Sequence, residues 1–143
     1  FAAGAAKVLV ANRTRGKAEA LAAYFGSMSP AANWIAVVDW AERHRAVGEC
    51  GLLVNSTSLG MTGQPPLDLN LDDLKEDAVV ADIVYTPLTT PLLAAARNRK
   101  RRTVDGLGML LHQAVPGFER WFGVRPEVTP ALRDHVAASL GAA

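Results

Sequence analysis

Five short apolar runs, mostly β-branched, recur along the chain, and most of them stop at polar or glycine-bearing residues. They are Lys7-Val8-Leu9-Val10-Ala11, Trp34-Ile35-Ala36-Val37-Val38, Gly51-Leu52-Leu53-Val54-Asn55, residues 78–84 and Arg102-Thr103-Val104. Within the runs the apolar residues are nearly continuous rather than alternating. That is the pattern of strands covered on both faces, hence of a parallel sheet between helical layers. The intervening stretches carry helical spacing. Ala18, Leu21, Ala22 and Phe25 stand at i, i+3, i+4 and i+7 of a helix expected over 15–25. Further helices are expected over 40–47, over 92–98 with Pro91 in the first turn, after Asp105, and from about Pro130 to Leu140. Pro116 lies inside the helix after Asp105 and predicts a kink or a break there. Gly63, Pro65 and Pro66 make residues 62–66 a loop. The alternation of strand and helix gives an α/β fold built on a doubly wound parallel sheet.

Length and charge narrow the function classes. At 143 residues the chain reads as one domain, 1–143, and half of its residues are apolar. Fifteen basic against fourteen acidic residues leave a net charge of +1, too little to attract nucleic acid or a membrane surface. A single cysteine, Cys50, excludes an internal disulfide, and no cluster offers four zinc ligands. No apolar run reaches the length of a membrane span. The opening residues lack both an initiator Met and the features of a signal peptide. The chain therefore reads as a piece of something longer, from a reducing, cytoplasmic compartment. The basic run Arg97, Arg99, Lys100, Arg101 and Arg102 has no interleaved aromatics and reads as a solvated turn closing a helix. His112 has no paired nucleophile and reads as a surface residue.

In open parallel sheets ligands bind beyond the carboxyl ends of the strands, and four such ends here carry polar or glycine residues. Arg13-Thr14-Arg15-Gly16-Lys17 joins the first strand to a helix N-terminus, with Thr14 placed as its N-cap. Free backbone N–H groups and two cations, Arg13 and Lys17, suit an anion. A NAD-binding Rossmann unit carries an acidic residue near this point to hold the ribose 2′-OH. Arginine and threonine in its place favour a 2′-phosphate, hence NADP. A solvated basic helix start is the plainer alternative. Asn55-Ser56-Thr57-Ser58-Leu59-Gly60-Met61 offers hydroxyl and amide partners after the third run, or else simply a hydrogen-bonded turn. After Asp105, the spacing of Gly106, Met109, Leu110 and Gln113 sets them on one helical face. That face could receive a planar ligand, or belong to an ordinary buried helix with Gln113 at the surface.

Taken in order, these segments resemble the C-terminal, NADP-binding half of shikimate dehydrogenases. Asn12-Arg13-Thr14-Arg15-Gly16-Lys17-Ala18 fits the family's N-R-T-x-x-K-A motif, and residues 55–61 fit N-A-T-S-x-G-M with Ser56 in place of Ala. Asp82-Ile83-Val84-Tyr85-Thr86-Pro87, continuing to Thr90-Pro91-Leu92-Leu93, fits D-x-x-Y-x-P-x-x-T-P-L-L. Asp105-Gly106-Leu107-Gly108-Met109-Leu110, with Gln113-Ala114, Phe118 and Trp121-Phe122-Gly123, fits the closing motif. The resemblance implies a Rossmann-like fold that lacks its first strand and glycine-rich loop, with residues 1–6 as the tail of a missing helix. It also implies a missing N-terminal substrate domain, on which a C-terminal helical tail, 124–143, would pack. Arg13, Thr14 and Lys17 would then hold the 2′-phosphate above Asn12, and Thr57 would line the cofactor groove. Ile83, Gly106 and Met109 would meet the nicotinamide, while Tyr85 and Gln113 would reach shikimate or 3-dehydroshikimate. The family's catalytic lysine–aspartate pair belongs to the missing half, so the chain alone is expected to be inactive. A quinate/shikimate dehydrogenase and a non-catalytic Rossmann-like regulatory module stay open as alternatives, as does a homo-oligomer.

Overall fold

The computed structural model describes residues 4–28 and 34–141. They divide into two compact units: 4–28, 34–49 and 72–74 in the first, and 50–71 and 75–141 in the second. Of the segment read as a helix tail at the start, residues 4–6 are not helical and the first three lie outside the described residues.

In the first unit, β1 (Val8–Ala11) and β2 (Ile35–Val38) pair in parallel, from Val8 opposite Ile35 to Ala11 opposite Val38. They are joined through α1 (Arg15–Ser27). The apolar stripe expected to bury α1 is mostly bare. Only Ala18 is buried, whereas Leu21 is 44% and Phe25 39% exposed. Phe25 instead meets Trp34 edge-on, ring centroids 6.5 Å apart. The helix expected over 40–47 is three short pieces: a 3-10 turn Trp40–Glu42, α2 (Arg43–Ala46) and a 3-10 turn Val47–Glu49. The Arg43 side chain donates to the Trp40 carbonyl at 2.6 Å, occupying an oxygen that a continuous helix would use.

The second unit holds β3 (Leu52–Asn55), β4 (Val79–Asp82) and β5 (Arg102–Val104) in the order β3-β4-β5, all parallel. The parallel α/β architecture expected from the alternating runs is present. Strand β4 is shorter than the apolar run that predicted it, because the Asp82 carboxylate accepts from the Val84 amide at 3.0 Å and turns the chain out of the ladder. Helix α3 (Pro91–Asn98) packs on β4 and β5 and buries Leu92, Leu93 and Ala96. Side chains alternate across a strand, so α3 covers the face that carries Val80 and Asp82. On the opposite face Leu52, Val54 and Val104 are about half exposed. The expectation of strands covered on both faces therefore fails for β3 and β5.

Helix α4 (Gly106–Phe122) continues through Pro116, so of the kink or break expected there the break does not occur. A proline there forfeits the bond to the carbonyl of residue 112, and His112 is exposed, which leaves that oxygen open to water. Helix α5 (Pro130–Gly141), part of the 124–143 tail, packs on α4. The basic run is spent locally. Arg97 donates to Thr103 and Thr89, and Arg102 to the Asp77 carbonyl. Among the described residues no helix is long and apolar enough to cross a membrane, and no group of three or more His, Cys, Asp or Glu is placed to hold a metal.

Candidate functional site

The residues singled out from the sequence stand at strand ends in both units. In the first, the chain leaves β1 at Asn12, whose side-chain oxygen accepts from the Thr14 amide at 2.8 Å. This turn sets Thr14 at the N-cap of α1 in an extended conformation (φ −97°, ψ 97°), and the helix opens with the Lys17 amide donating to the Thr14 carbonyl. Thr14 stands at the N-cap as expected, but its side chain makes no cap hydrogen bond, which leaves the hydroxyl unspent. No acidic residue stands in the first turn of α1.

Three cations cluster at this helix start, and their positions differ in kind. Arg15 is bound on both sides, by Glu19 at 2.7 Å and by Asp39. Its guanidinium is held above its ordinary pKa, first by the hydrogen bond to Asp39 and then by that to Glu19. Arg13 and Lys17 are exposed, and among the described residues neither side chain has an ion-pair partner. The residues free to meet an anion are thus Arg13, Lys17, the Thr14 hydroxyl and the first backbone amides of α1. Such a set fits a phosphate dianion, which needs several donors, and the carboxylates nearby, Glu19 and Asp39, are occupied by Arg15.

In the second unit, two of the recognised segments, 55–61 and 82–93, hang on one buried carboxylate. Asp82, 2% exposed, accepts from the Asn55 amide at 3.0 Å, from the Val84 backbone at 3.0 Å and from the Thr90 hydroxyl at 2.7 Å. Asn55 also donates to the Leu59 carbonyl and accepts from both the amide and the hydroxyl of Thr57. Thr57 in turn accepts from the Leu59 amide, and Thr90 caps α3 through the Leu93 amide. Every buried polar atom in this chain of contacts has a partner, as burial demands. The turn reading and the groove reading of residues 55–61 are therefore compatible, although the Thr57 hydroxyl is engaged internally.

Gly106 lies where β4 ends. A Cβ placed on it would fall 2.2 Å from the Ile83 carbonyl oxygen and 2.7 Å from that of Val84. Glycine is needed here for the close approach of the protein's own backbone. Asp105 caps α4 by accepting from the Leu107 amide at 3.1 Å. Met109, 37% exposed, and Gln113 rise from that cap about one turn apart on the helix surface, while Ile83 and Tyr85 are half-buried beyond β4. Sequence reasoning assigned no role to Asp82, Thr90 or Arg133, and saw in Asn55 only an amide partner at a strand end. Thr90 before Pro91 was legible as an N-cap, and a lone Asp closing an apolar run hinted at Asp82.

Comparison with known proteins agrees with the motifs. The shikimate 5′-dehydrogenase C-terminal domain family matches residues 106–133. A shikimate dehydrogenase (NADP(+)) of Azorhizobium caulinodans is 58% identical over 136 residues, covering 95% of this chain and 46% of that protein. Another from Dinoroseobacter shibae is 60% identical over 131 residues, covering 92% of this chain and 45% of that protein. Among solved structures, the quinate dehydrogenase of Corynebacterium glutamicum in complex with NAD covers 94% of this chain with a TM-score of 0.82 at 31% identity. The shikimate 5-dehydrogenase of Thermus thermophilus in complex with NADP(H) and shikimate covers 94% with a TM-score of 0.73 at 30% identity. The chain spans about half the length of each of these proteins.

Proposed function

We propose that this chain is the cofactor-binding, C-terminal part of an NADP-dependent shikimate dehydrogenase, catalysing 3-dehydroshikimate + NADPH + H⁺ ⇌ shikimate + NADP⁺. NADPH, when bound, supplies the hydride that adds to the ketone carbon. The residues of this chain hold and orient. Arg13, Thr14 and Lys17 take the 2′-phosphate, with Asn12 shaping the turn beneath them. Thr57 lines the cofactor groove, Ile83, Gly106 and Met109 border the nicotinamide side, and Tyr85 and Gln113 meet the substrate. Proton transfer to the carbonyl oxygen is assigned to the lysine–aspartate pair that the resemblance implies in the other half, so this chain by itself does not turn over substrate. A cytoplasmic location accords with NADPH chemistry in a reducing compartment.

The observation that carries this reading is the start of α1, where among the described residues Arg13 and Lys17 have no ion-pair partner and no carboxylate occupies the first turn. In the complete protein Arg13→Ala should weaken NADPH binding by about 2 kcal/mol, the worth of a hydrogen bond to a charged group, while NADH binding changes little. Equal losses for the two cofactors, measured by titration, would remove the 2′-phosphate assignment. The likeness to a quinate dehydrogenase bound to NAD supports a second reading, an enzyme that accepts quinate as well. Initial rates with shikimate and quinate, each with NADP and NAD, separate the two.

A further inference from the structure

We infer that Arg133, on α5, is a positioning residue for the nicotinamide-side turn of α4, acting through Asp105; this rests on the functional reading above. The two oxygens of Asp105 are divided between two tasks. Oδ1 accepts from the Leu107 amide at 3.1 Å and caps α4, while Oδ2 receives the Arg133 guanidinium at 2.6 Å from a helix 28 residues further along the chain. The Asp105 side chain is only 18% exposed, so the pair is partly withdrawn from water and is screened less than a surface contact. Arg133 is itself anchored, since its amide donates to the Thr129 carbonyl at 3.1 Å and Thr129 also accepts from the Leu132 amide.

The first turn of α4 is therefore held from three directions. Its Gly106 is pressed against the Ile83 and Val84 carbonyls, its cap is the Asp105 carboxylate, and that carboxylate is fixed from behind by α5. Without Arg133 the carboxylate keeps its cap but loses the contact that sets its rotamer, and the turn that starts at the buried Gly106 gains freedom where Met109 must present a surface to a planar ring. Misplacement of a reacting ring by a fraction of an ångström costs rate more than affinity. The 2′-phosphate residues belong to the other unit and should not feel the change.

The test uses the complete protein. Arg133→Gln should lower kcat about tenfold with the KM for NADP nearly unchanged. It should raise the primary isotope effect seen with NADPH deuterated at the transferred position, and speed hydrogen exchange at the Leu107 amide. Arg133→Lys should recover most of each effect. Asp105→Asn, which keeps the cap oxygen and weakens the ion pair, should reproduce the signature, and the double variant should add little to either single change. A smaller folded fraction would lower kcat without moving the isotope effect, so an unchanged isotope effect overturns the positioning role even if exchange quickens. Unchanged Leu107 exchange overturns the clamp itself. A wild-type protein inert with NADP and both shikimate and quinate would overturn the functional reading, and the positioning role with it, before any variant is compared.

Discussion

At Gly106 the chemistry of one missing methyl decides the local fold. An alanine Cβ would sit 2.2 Å from a carbonyl oxygen, about 1 Å inside ordinary contact, and the obstacle is backbone rather than a side chain that can swing aside. Gly106→Ala should therefore destabilise the protein by about 3 kcal/mol, the upper range of overpacking, as read from chemical denaturation. An unchanged midpoint would mean that β4 and α4 do not approach as described. Arg15 behaves differently, because its raised pKa comes from exposed partners. A raised folded pKa contributes stability that is lost only as pH rises through it. That window lies at strongly alkaline pH, so this arginine should leave no mark on a stability profile near neutrality.

Among the elements, α3 ends in a way that invites improvement. The Lys100 amide donates to the Arg97 carbonyl and that of Arg101 to the Ala96 carbonyl, the paired bonds of a Schellman closure, with Lys100 in the left-handed region at φ 58°. Glycine adopts that conformation without the Cβ penalty, and the exposed lysine side chain gives up little. Lys100→Gly should raise stability by about 0.5–1 kcal/mol, seen as a higher melting temperature; a lower one would show that the side chain matters more than the backbone. The same helix shows what sequence could and could not reveal. Its start, Thr90 then Pro91, follows from local rules, and so do the five strands, whose apolar runs are contiguous. The stripe on α1 was legible as a pattern, but only Ala18 found cover, since periodicity says which side is apolar and not what meets it. Pro116 forecast a kink or a break from the residue alone, and the helix continues through it beside an exposed His112. Arg133 left no trace, because an ion pair spanning 28 residues has no local pattern.

For the whole molecule, the balance of bare apolar surface is the salient property. Trp121 is 79% and Phe122 63% exposed at the end of α4, where the Phe118 and Phe122 rings lie 4.5 Å apart. Leu52, Val54 and Val104 form a second uncovered area on the sheet of the second unit. Surfaces of this kind favour association, and β3, at the rim of its sheet, pairs only with β4 among the described residues. The chain on its own should show concentration-dependent self-association in sedimentation velocity, reduced by Trp121→Glu. A monomer across the whole concentration range would argue against it, and relief by Leu52→Lys but not Trp121→Glu would assign the contact to the sheet. A different consequence follows from Asp82. Asn55, Asp82 and Thr90 satisfy one another while lying 27 and 8 residues apart along the chain, so none can be replaced alone without stranding a buried partner. Over evolutionary time the three should drift as a block or not at all, and gene shuffling between relatives should succeed when its crossovers fall outside 55–90 and fail when they fall within.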